Sequence, residues 1–193
     1  MPGKAAIDND FLNHLLEIKN HPDLPDLIRR FFIALDVSVF MHPFVYKCEA
    51  IVITNKVRDI LVEDRTISIP ELSDIWDNKD GGKMYYEMMV RGIYKDFTGN
   101  EYPCNNMFEQ WVARQSLGEV HTVVACAFVM SDCFLSDDRG ASELQTIVFN
   151  RFNRPVHVYN RHDRCDYLRS IALPKNQGLT SKELKMISHP VNR

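Results

Sequence analysis

The sequence lacks any long hydrophobic run, and this excludes one class of protein at once. Its apolar stretches fall far short of the roughly 18 residues that a membrane-spanning helix needs, so we predict no transmembrane helix. The opening residues, Met1-Pro2-Gly3-Lys4, also lack the apolar core of a secretory signal. We therefore expect a cytoplasmic protein that has no membrane partner.

Paired cysteines and phosphate-binding glycine loops are missing as well. The five cysteines are odd in number and none is spaced as a CxxC pair, which favours reduced thiols over disulfides. A zinc site formed by His157, His162 and Cys165 would match no standard ligand spacing. The pair Gly81-Gly82 has no strand before it and no GK[ST] after it, so it predicts a turn and not a nucleotide-binding loop.

What the chain does contain is typical of one globular domain. Of its 193 residues 45% are apolar and 25% are charged, which is enough to build a substantial core. We find no internal repeat and no low-complexity linker, so residues 1–193 are predicted to form a single domain. The net charge of −3 is unevenly spread, because residues 139–193 carry ten basic residues and only four acidic ones. A basic segment of this kind forms either a solvated surface or a surface that binds the backbone of a polyanion.

Helical periodicity alternates with short apolar runs along the chain, which predicts an α/β fold around a parallel sheet. The segment before residue 30 is predicted to be a helical extension, and residues 64–115 a helical insertion. The predicted strands are residues 31–40, 49–54, 133–136 and 154–159. The predicted helices are residues 11–18, 24–30, 56–62, 71–76, 84–93, 108–115, 116–130, 140–152 and a closing helix that begins with the capping box at residues 180–183.

Carboxylates stand at three points where predicted strands end or helices begin. Asp36 interrupts the apolar run 31–40, Glu119 opens the helix 116–130, and Asp137 and Asp138 follow the strand 133–136. In open α/β sheets such positions can converge on one edge. Converging carboxylates repel one another unless a cation neutralises them, and hard oxygen ligands favour Mg²⁺ or Mn²⁺. The pattern predicts metal-dependent phosphodiester chemistry.

Each of these carboxylates also has a purely structural interpretation. Asp36 would cap whatever element follows it, with Ser38 able to share that role. Ser116 and Glu119 have the spacing of a capping box. One of the two aspartates at 137–138 would cap the next helix, although two adjacent carboxylates exceed what a cap needs.

Three motifs together resemble the PIN-domain family of metal-dependent nucleases. Residues 33–39, Ile-Ala-Leu-Asp-Val-Ser-Val, are similar to the family's first strand, a hydrophobic run that ends in Asp. Residues 117–127 are similar to its "GE" helix, and residues 134–141, Phe-Leu-Ser-Asp-Asp-Arg-Gly-Ala, to its terminal acidic turn. Residues 154–158 match its closing strand. The resemblance covers roughly residues 31 to 160.

The resemblance implies a three-layer α/β/α sandwich and a divalent-metal-dependent endoribonuclease, including toxin-type members that pair with an antitoxin. Mg²⁺ or Mn²⁺ would be held by Asp36, Glu119 and Asp138, with Asp137 completing the catalytic set. A further acidic residue is expected on the helix after the second strand, for which Asp59 is the candidate and Glu63 the runner-up. The remaining implied roles are orientation of the carboxylates by Ser38 and Ser136, and contact with the RNA backbone by Arg139, Arg151 and Arg154.

Other interpretations stay open from the sequence alone. Where family members often carry a second acidic residue after the "GE" glutamate, this chain has His121, which could bind Mn²⁺ or be structural. The chain could be a catalytically inactive PIN-like module that binds protein or RNA. A receiver-like Mg²⁺ switch would need a lysine near the last strand, and residues 150–160 contain none. The Met and Tyr stripe near residues 84–94 predicts either core packing or a homodimer interface.

Overall fold

We describe the fold from a computed structural model. It describes residues 3–52, 54–76, 81–108, 116–129, 131, 133–171 and 178–189. The strands are β1 (Gly3–Ile7), β2 (Val37–Phe40), β3 (Ile67–Ser68), β4 (Cys133–Leu135) and β5 (His157–Tyr159). The helices are α1 (Asn9–Leu16), α2 (Leu24–Ala34), α3 (Pro43–Cys48), α4 (Lys56–Glu63), α5 (Leu72–Ile75), α6 (Gly82–Thr98), α7 (Leu117–Phe128), α8 (Ala141–Phe152), α9 (Arg161–Ser170) and α10 (Ser181–Ser188), with a 3₁₀ turn at Ala50–Val52.

The five strands form one parallel sheet in the order β3-β2-β1-β4-β5. The chain runs from β1 to β2 on one side and reaches β4 on the other, and with the right-handed crossovers that parallel strands favour this order covers both faces of the sheet with helices. Helices α2 and α4 pack together, and α6, α7 and α8 form a second packed group. The predicted three-layer α/β/α sandwich around a parallel sheet is therefore confirmed. Within the described residues, no helix is both long enough and apolar enough to cross a membrane.

The central strand is β1, which the sequence analysis missed. Its residues Ala5, Ala6 and Ile7 have no exposed surface, as expected for a strand that is covered on both faces. β1 pairs with β2 from Gly3 opposite Val37 and with β4 from Ala5 opposite Cys133. The prediction that residues before 30 form only a helical extension is wrong, because this segment supplies the middle of the sheet.

The predicted strand 31–40 is two elements. Helix α2 continues to Ala34, and its buried residues Leu27, Ile28 and Phe31 recur at helical spacing. Asp36 then has a φ of 54°, in the left-handed region that Asp tolerates better than most residues. Only after this turn does β2 begin. Asp36 therefore precedes a strand and does not end one, so that prediction is wrong.

Two other predicted elements change identity. The predicted strand 49–54 is the end of α3, the turn Ala50–Val52 and the approach to α4. The segment 64–115, predicted to be helical, also contains β3, an edge strand paired with β2. The helices predicted at 116–130 and 140–152 and the strands predicted at 133–136 and 154–159 are confirmed as α7, α8, β4 and β5. The predicted helix 108–115 lies almost wholly outside the described residues.

A buried chain of imidazole and phenol groups ties α3, α6 and α7 together. The Phe44 N–H donates to His42 Nδ1 at 3.0 Å, which leaves His42 Nε2–H to donate to Tyr86 Oη at 2.9 Å. Tyr86 O–H can then donate to His121 Nδ1 at 2.9 Å, and His121 Nε2–H to Tyr102 Oη at 2.9 Å. Both imidazoles are neutral in this arrangement. Burial agrees with it, since burial followed by repulsion from His121 lowers the pKa of His42, and burial lowers that of His121 to about 3.

Replacing Tyr86 by Phe should destabilise the protein. The change removes one hydroxyl and leaves His42 Nε2 and His121 Nδ1 buried without that partner, which costs about 1–3 kcal/mol. Urea unfolding followed by circular dichroism measures the free energy of unfolding. Tyr85→Phe is the matched control, because Tyr85 lies on the same helix with 48% of its surface exposed. Equal losses in the two variants would contradict a stabilising role for the network.

Candidate active site

Acidic residues gather at the carboxyl edge of the sheet, between β1 and β4. The chain leaves β1 toward β2 on one side, while β4 lies on the other. This reversal of direction creates the crevice in which open α/β sheets bind ligands. Asp8 directly follows β1, the residues 136–138 follow β4, and Glu119 lies in the first turn of α7.

Asp8 is the most buried of these carboxylates, with 5% of its surface exposed. It caps α1, because its Oδ1 accepts a hydrogen bond of 2.8 Å from the Phe11 N–H. The Ser136 hydroxyl is its second partner. Burial raises the pKa of Asp8 well above its usual range, and the charges of Asp10 and Glu119 add to the rise, although both hydrogen bonds oppose it. Two hydrogen bonds thus hold the Asp8 carboxylate in place, and no cation is among the described groups that shift its pKa.

Glu49, the residue that ends α3, faces the same crevice. Its carboxylate lies against the start of α7 at Gly118, where a Cβ atom would stand only 2.5 Å from Glu49 Oε1. Burial raises the pKa of Glu49 to about 7, with further contributions from the charges of Glu119 and Asp10. Because residue 118 is a glycine, the Glu49 carboxylate can approach the start of α7.

Glu119 completes the group from the first turn of α7. The predicted capping box is wrong, since Ser116 has a φ of 70° and its side chain makes no capping hydrogen bond. Burial raises the pKa of Glu119, and the charges of Asp138 and Asp10 raise it further. Glu119 also shares a hydrogen bond with Asp138. Glu119 and Asp138 therefore lie close together at the carboxyl edge of the sheet.

These side chains surround a cavity of about 70 Å³, lined by Asp8, Asn9, Asp10, Glu49, Gly118 and Glu119. Asn9 Oδ1 is buried and has no hydrogen-bond partner. A buried amide oxygen without a partner is costly. Together with the carboxylates it offers only hard oxygen donors, the set that Mg²⁺ or Mn²⁺ takes. As the described side chains are placed, however, no three carboxylate, imidazole or thiol groups form a set that could hold a metal ion.

Asp137 and Asp138, adjacent in sequence, have different surroundings. Asp137 forms an ion pair with the buried Arg161 Nε, accepts the Arg161 backbone N–H at 2.9 Å, and contacts His14 Nδ1 at 2.8 Å. Asp138 is exposed and shares the hydrogen bond with Glu119 described above. Its Oδ1 accepts the Gly140 N–H at 2.7 Å, and its own N–H donates to Ser136 Oγ at 3.1 Å. Ser136 thus contacts the Asp8 carboxylate and the Asp138 backbone, and its role in orienting carboxylates stays a prediction.

Several predicted site residues lie away from the crevice. Asp36 and Ser38 are at the opposite, amino end of the sheet, where the Ser38 hydroxyl donates to the Gly3 carbonyl at 3.3 Å. Asp59 pairs with its neighbour Arg58 at 2.8 Å. Glu63 is exposed at the end of α4. Asp36, Asp59 and Glu63 therefore lie away from the crevice, which Asp8 and Glu49 line instead.

The predicted RNA-contacting arginines are also separated. Arg139 is exposed directly beside Asp138. Arg151 forms a two-point ion pair with Asp96, at 2.6 and 2.9 Å, which joins α8 to α6. Arg154 lies between α8 and β5, at the other edge of the sheet. Of the three, only Arg139 stands beside the carboxylates.

The histidine positions that the sequence left open are structural. Both ring nitrogens of His121 are bonded to tyrosines, so it does not extend the acidic group. His162 contacts Asp166 one turn along α9 at 3.1 Å, and Cys165 is fully buried. Like the rest of the described chain, the region around His157, His162 and Cys165 contains no set of three metal-binding groups.

Replacing Glu49 by Gln should remove a pH-dependent loss of stability. In the unfolded chain this carboxyl ionises near pH 4.5, whereas in the folded protein it keeps its proton until about pH 7. The folded state therefore binds more protons in this window, and the contribution of Glu49 to stability falls as the pH rises through it. We expect the melting temperature of the variant to rise relative to wild type by about 5 °C or more between pH 5 and pH 8 in metal-free buffer.

The comparison with wild type at each pH isolates Glu49 from the buried histidines. Those histidines act in the opposite direction, because their lowered pKa values make stability rise with pH up to about 6.5. Glu63→Gln serves as the control, as Glu63 is exposed on α4. A constant difference between Glu49→Gln and wild type from pH 5 to 8 would show that Glu49 is not electrostatically strained.

Comparison of the chain with family models, with curated proteins and with solved structures found no match. Function must therefore be inferred from the chain's own residues. The feature that invites such an inference is the acidic cavity between β1 and β4.

Proposed function

We propose that the protein is a divalent-metal-dependent endoribonuclease of PIN-like type. The observation that supports the proposal is the cavity at the switch point of the sheet, where Asp8, Asp10, Glu49 and Glu119 stand together with an unpaired amide oxygen of Asn9. Burial, with repulsion from neighbouring carboxylates added, raises the pKa values of Asp8, Glu49 and Glu119, and charged groups held in this way are costly to the fold. Such an arrangement is typical of functional sites.

Asp8 and Glu49 fit the PIN-like pattern better than Asp36 and Asp59 do. Residues 4–8, Lys-Ala-Ala-Ile-Asp, are a short apolar strand that ends in Asp, and here that strand is central. Glu119 and the acidic turn at 137–138 meet Asp8 at the same edge. Glu49 supplies the acidic residue that follows the second strand.

Asp8, Glu49, Glu119 and Asp138 would hold Mg²⁺ or Mn²⁺, with Asn9 Oδ1 as a neutral donor. The bound cation would lower the pKa of a water molecule and stabilise charge on the scissile phosphate. Ser136 would keep Asp8 oriented through its hydroxyl. Asp137 is already neutralised by Arg161, so its part is to fix the turn that carries Asp138.

Arg139 is the residue best placed to contact the RNA backbone. It is exposed and adjacent in sequence to Asp138, whose charge acts on Glu119. A cation there would attract a phosphate that the carboxylates alone would repel. The positively charged surplus of residues 139–193 is consistent with that attraction.

Mn²⁺ binding should depend on Asp8 and Glu119 and be independent of Asp36. We expect Asp8→Asn and Glu119→Gln each to weaken Mn²⁺ binding by about tenfold or more in titration calorimetry, since each removes one charged ligand. Cleavage of a mixed RNA pool in Mn²⁺ or Mg²⁺ should fall by about 100-fold or more in the same variants. Asp36→Asn is the matched control, because Asp36 is exposed at the other end of the sheet.

Thermal melting of each variant separates a lost ligand from a lost fold. Both site variants should melt no lower than wild type in metal-free buffer, because each removes a repelling charge. A wild-type protein that binds no Mn²⁺ would overturn the proposal and leave a catalytically inactive binding module. Equal losses in Asp36→Asn and Asp8→Asn would place the metal elsewhere.

A further inference from the structure

A second and larger cavity, of about 640 Å³, opens at the amino edge of the sheet. Lys4 at the start of β1 and Arg154 just before β5 line it, as does Phe128 at the end of α7. Asp8 lies four residues beyond Lys4 at the opposite end of β1. The cavity is therefore separate from the acidic site, and its volume falls within the range of small-molecule pockets.

Four aromatic side chains form part of the wall of this cavity. Tyr85, on α6, packs against Phe128 with ring centroids 5.6 Å apart and against Phe152 at 6.4 Å, nearly edge-on. Trp76, at the end of α5, adds a fourth ring. Tyr85 nevertheless keeps 48% of its surface exposed. A planar ring that entered the cavity would meet these aromatic faces and edges at favourable geometries.

The turn before α6 shapes one side of the cavity. A Cβ atom on Gly82 would stand 2.7 Å from the Trp76 carbonyl oxygen, and Gly81 has a φ of 80°. Both residues line the cavity. Gly81 thus precedes α6 in a left-handed conformation, and Gly82 begins the helix close to the backbone at Trp76.

Charge in the cavity favours an anion. Among the described residues that line it, Lys4 and Arg154 are basic and Asp74 is acidic. Lys4 is exposed and also borders a smaller adjoining hollow of about 170 Å³ that the hydroxyl-bearing Ser38 and Ser68 help to line. The hydroxyls of Ser38 and Ser68 already donate to the carbonyls of Gly3 and Val39, so Lys4 is the group there that an anion would meet.

We propose that this cavity binds a small molecule that combines a flat aromatic ring with an anionic group. The ring packs among Trp76, Tyr85, Phe128 and Phe152, and the anion pairs with Lys4 and Arg154. This inference does not depend on the proposed nuclease activity, because the two sites share no residue.

The test uses 8-anilinonaphthalene-1-sulfonate as the probe, in buffer that contains EDTA. We expect saturable binding of one molecule per chain, followed by fluorescence. Lys4→Gln should weaken binding of the probe by about fivefold, which corresponds to the loss of one partly exposed ion pair. N-phenyl-1-naphthylamine, the same ring system without the sulfonate, should bind wild type more weakly by a similar factor. Lys56→Gln, which removes an exposed lysine at the start of α4, should change nothing.

A cavity-filling variant and two competitors complete the design. Ala127→Leu should weaken the probe while leaving the melting temperature near that of wild type, since Ala127 lines the cavity. Displacement of the probe by adenosine monophosphate would identify a phosphate-bearing ligand, and displacement by 2-naphthoate a carboxylate. The proposal is overturned if the probe does not saturate below about 1 mM, if Lys4→Gln binds it as wild type does, or if neither competitor displaces it.

Discussion

The parallel pairing of β1 with both of its neighbours is the constraint on which the rest of the structure depends. Because β1 lies between β2 and β4, its two ends become the centres of the two edges of the sheet. Asp8 follows β1 at one end, and Lys4 lies near the other end of the strand. Only three residues separate Lys4 from Asp8, so a short strand joins the acidic crevice to the second cavity.

Among the described residues, neutral groups and not cations are the partners of the carboxylates that line the acidic crevice. Asp8 is fixed by the Phe11 N–H and the Ser136 hydroxyl, and Glu49 lies against the bare backbone at Gly118. Asp137, by contrast, is neutralised by Arg161. Arg161 thus neutralises Asp137, which fixes the turn, whereas the carboxylates around the cavity continue to repel one another. A site shaped in this way gains most from a bound cation.

The sequence located Glu119 and the acidic turn at residues 137–138 correctly in the fold, because their signals were local. Glu119 opens a strongly apolar helix, and the acidic turn follows a short apolar strand, so each could be located from adjacent residues. The first half was assigned wrongly. β1 is short and contains two alanines, which have little strand preference, while the apolar run 31–40 conceals the boundary between a helix and a strand. The signal for Asp8 was present, since an apolar triplet precedes it and an amphipathic helix follows. Glu49 had no such signal, because its approach to Gly118 arises only from packing of α3 against α7.

The buried hydrogen-bond chain explains how that packing is maintained so close to repelling charges. His42 begins α3, the helix that ends at Glu49, and His121 lies two residues after Glu119 on α7. Tyr86 joins the two imidazoles through a single hydroxyl. If α3 and α7 were held only by apolar contacts, repulsion between Glu49 and Glu119 could be relieved by sliding one helix past the other. Directional bonds between fully buried groups resist such sliding, because any shift would leave a polar nitrogen without a partner. The segment that contributes Tyr86 is therefore part of what positions the carboxylates, although it contributes none of them.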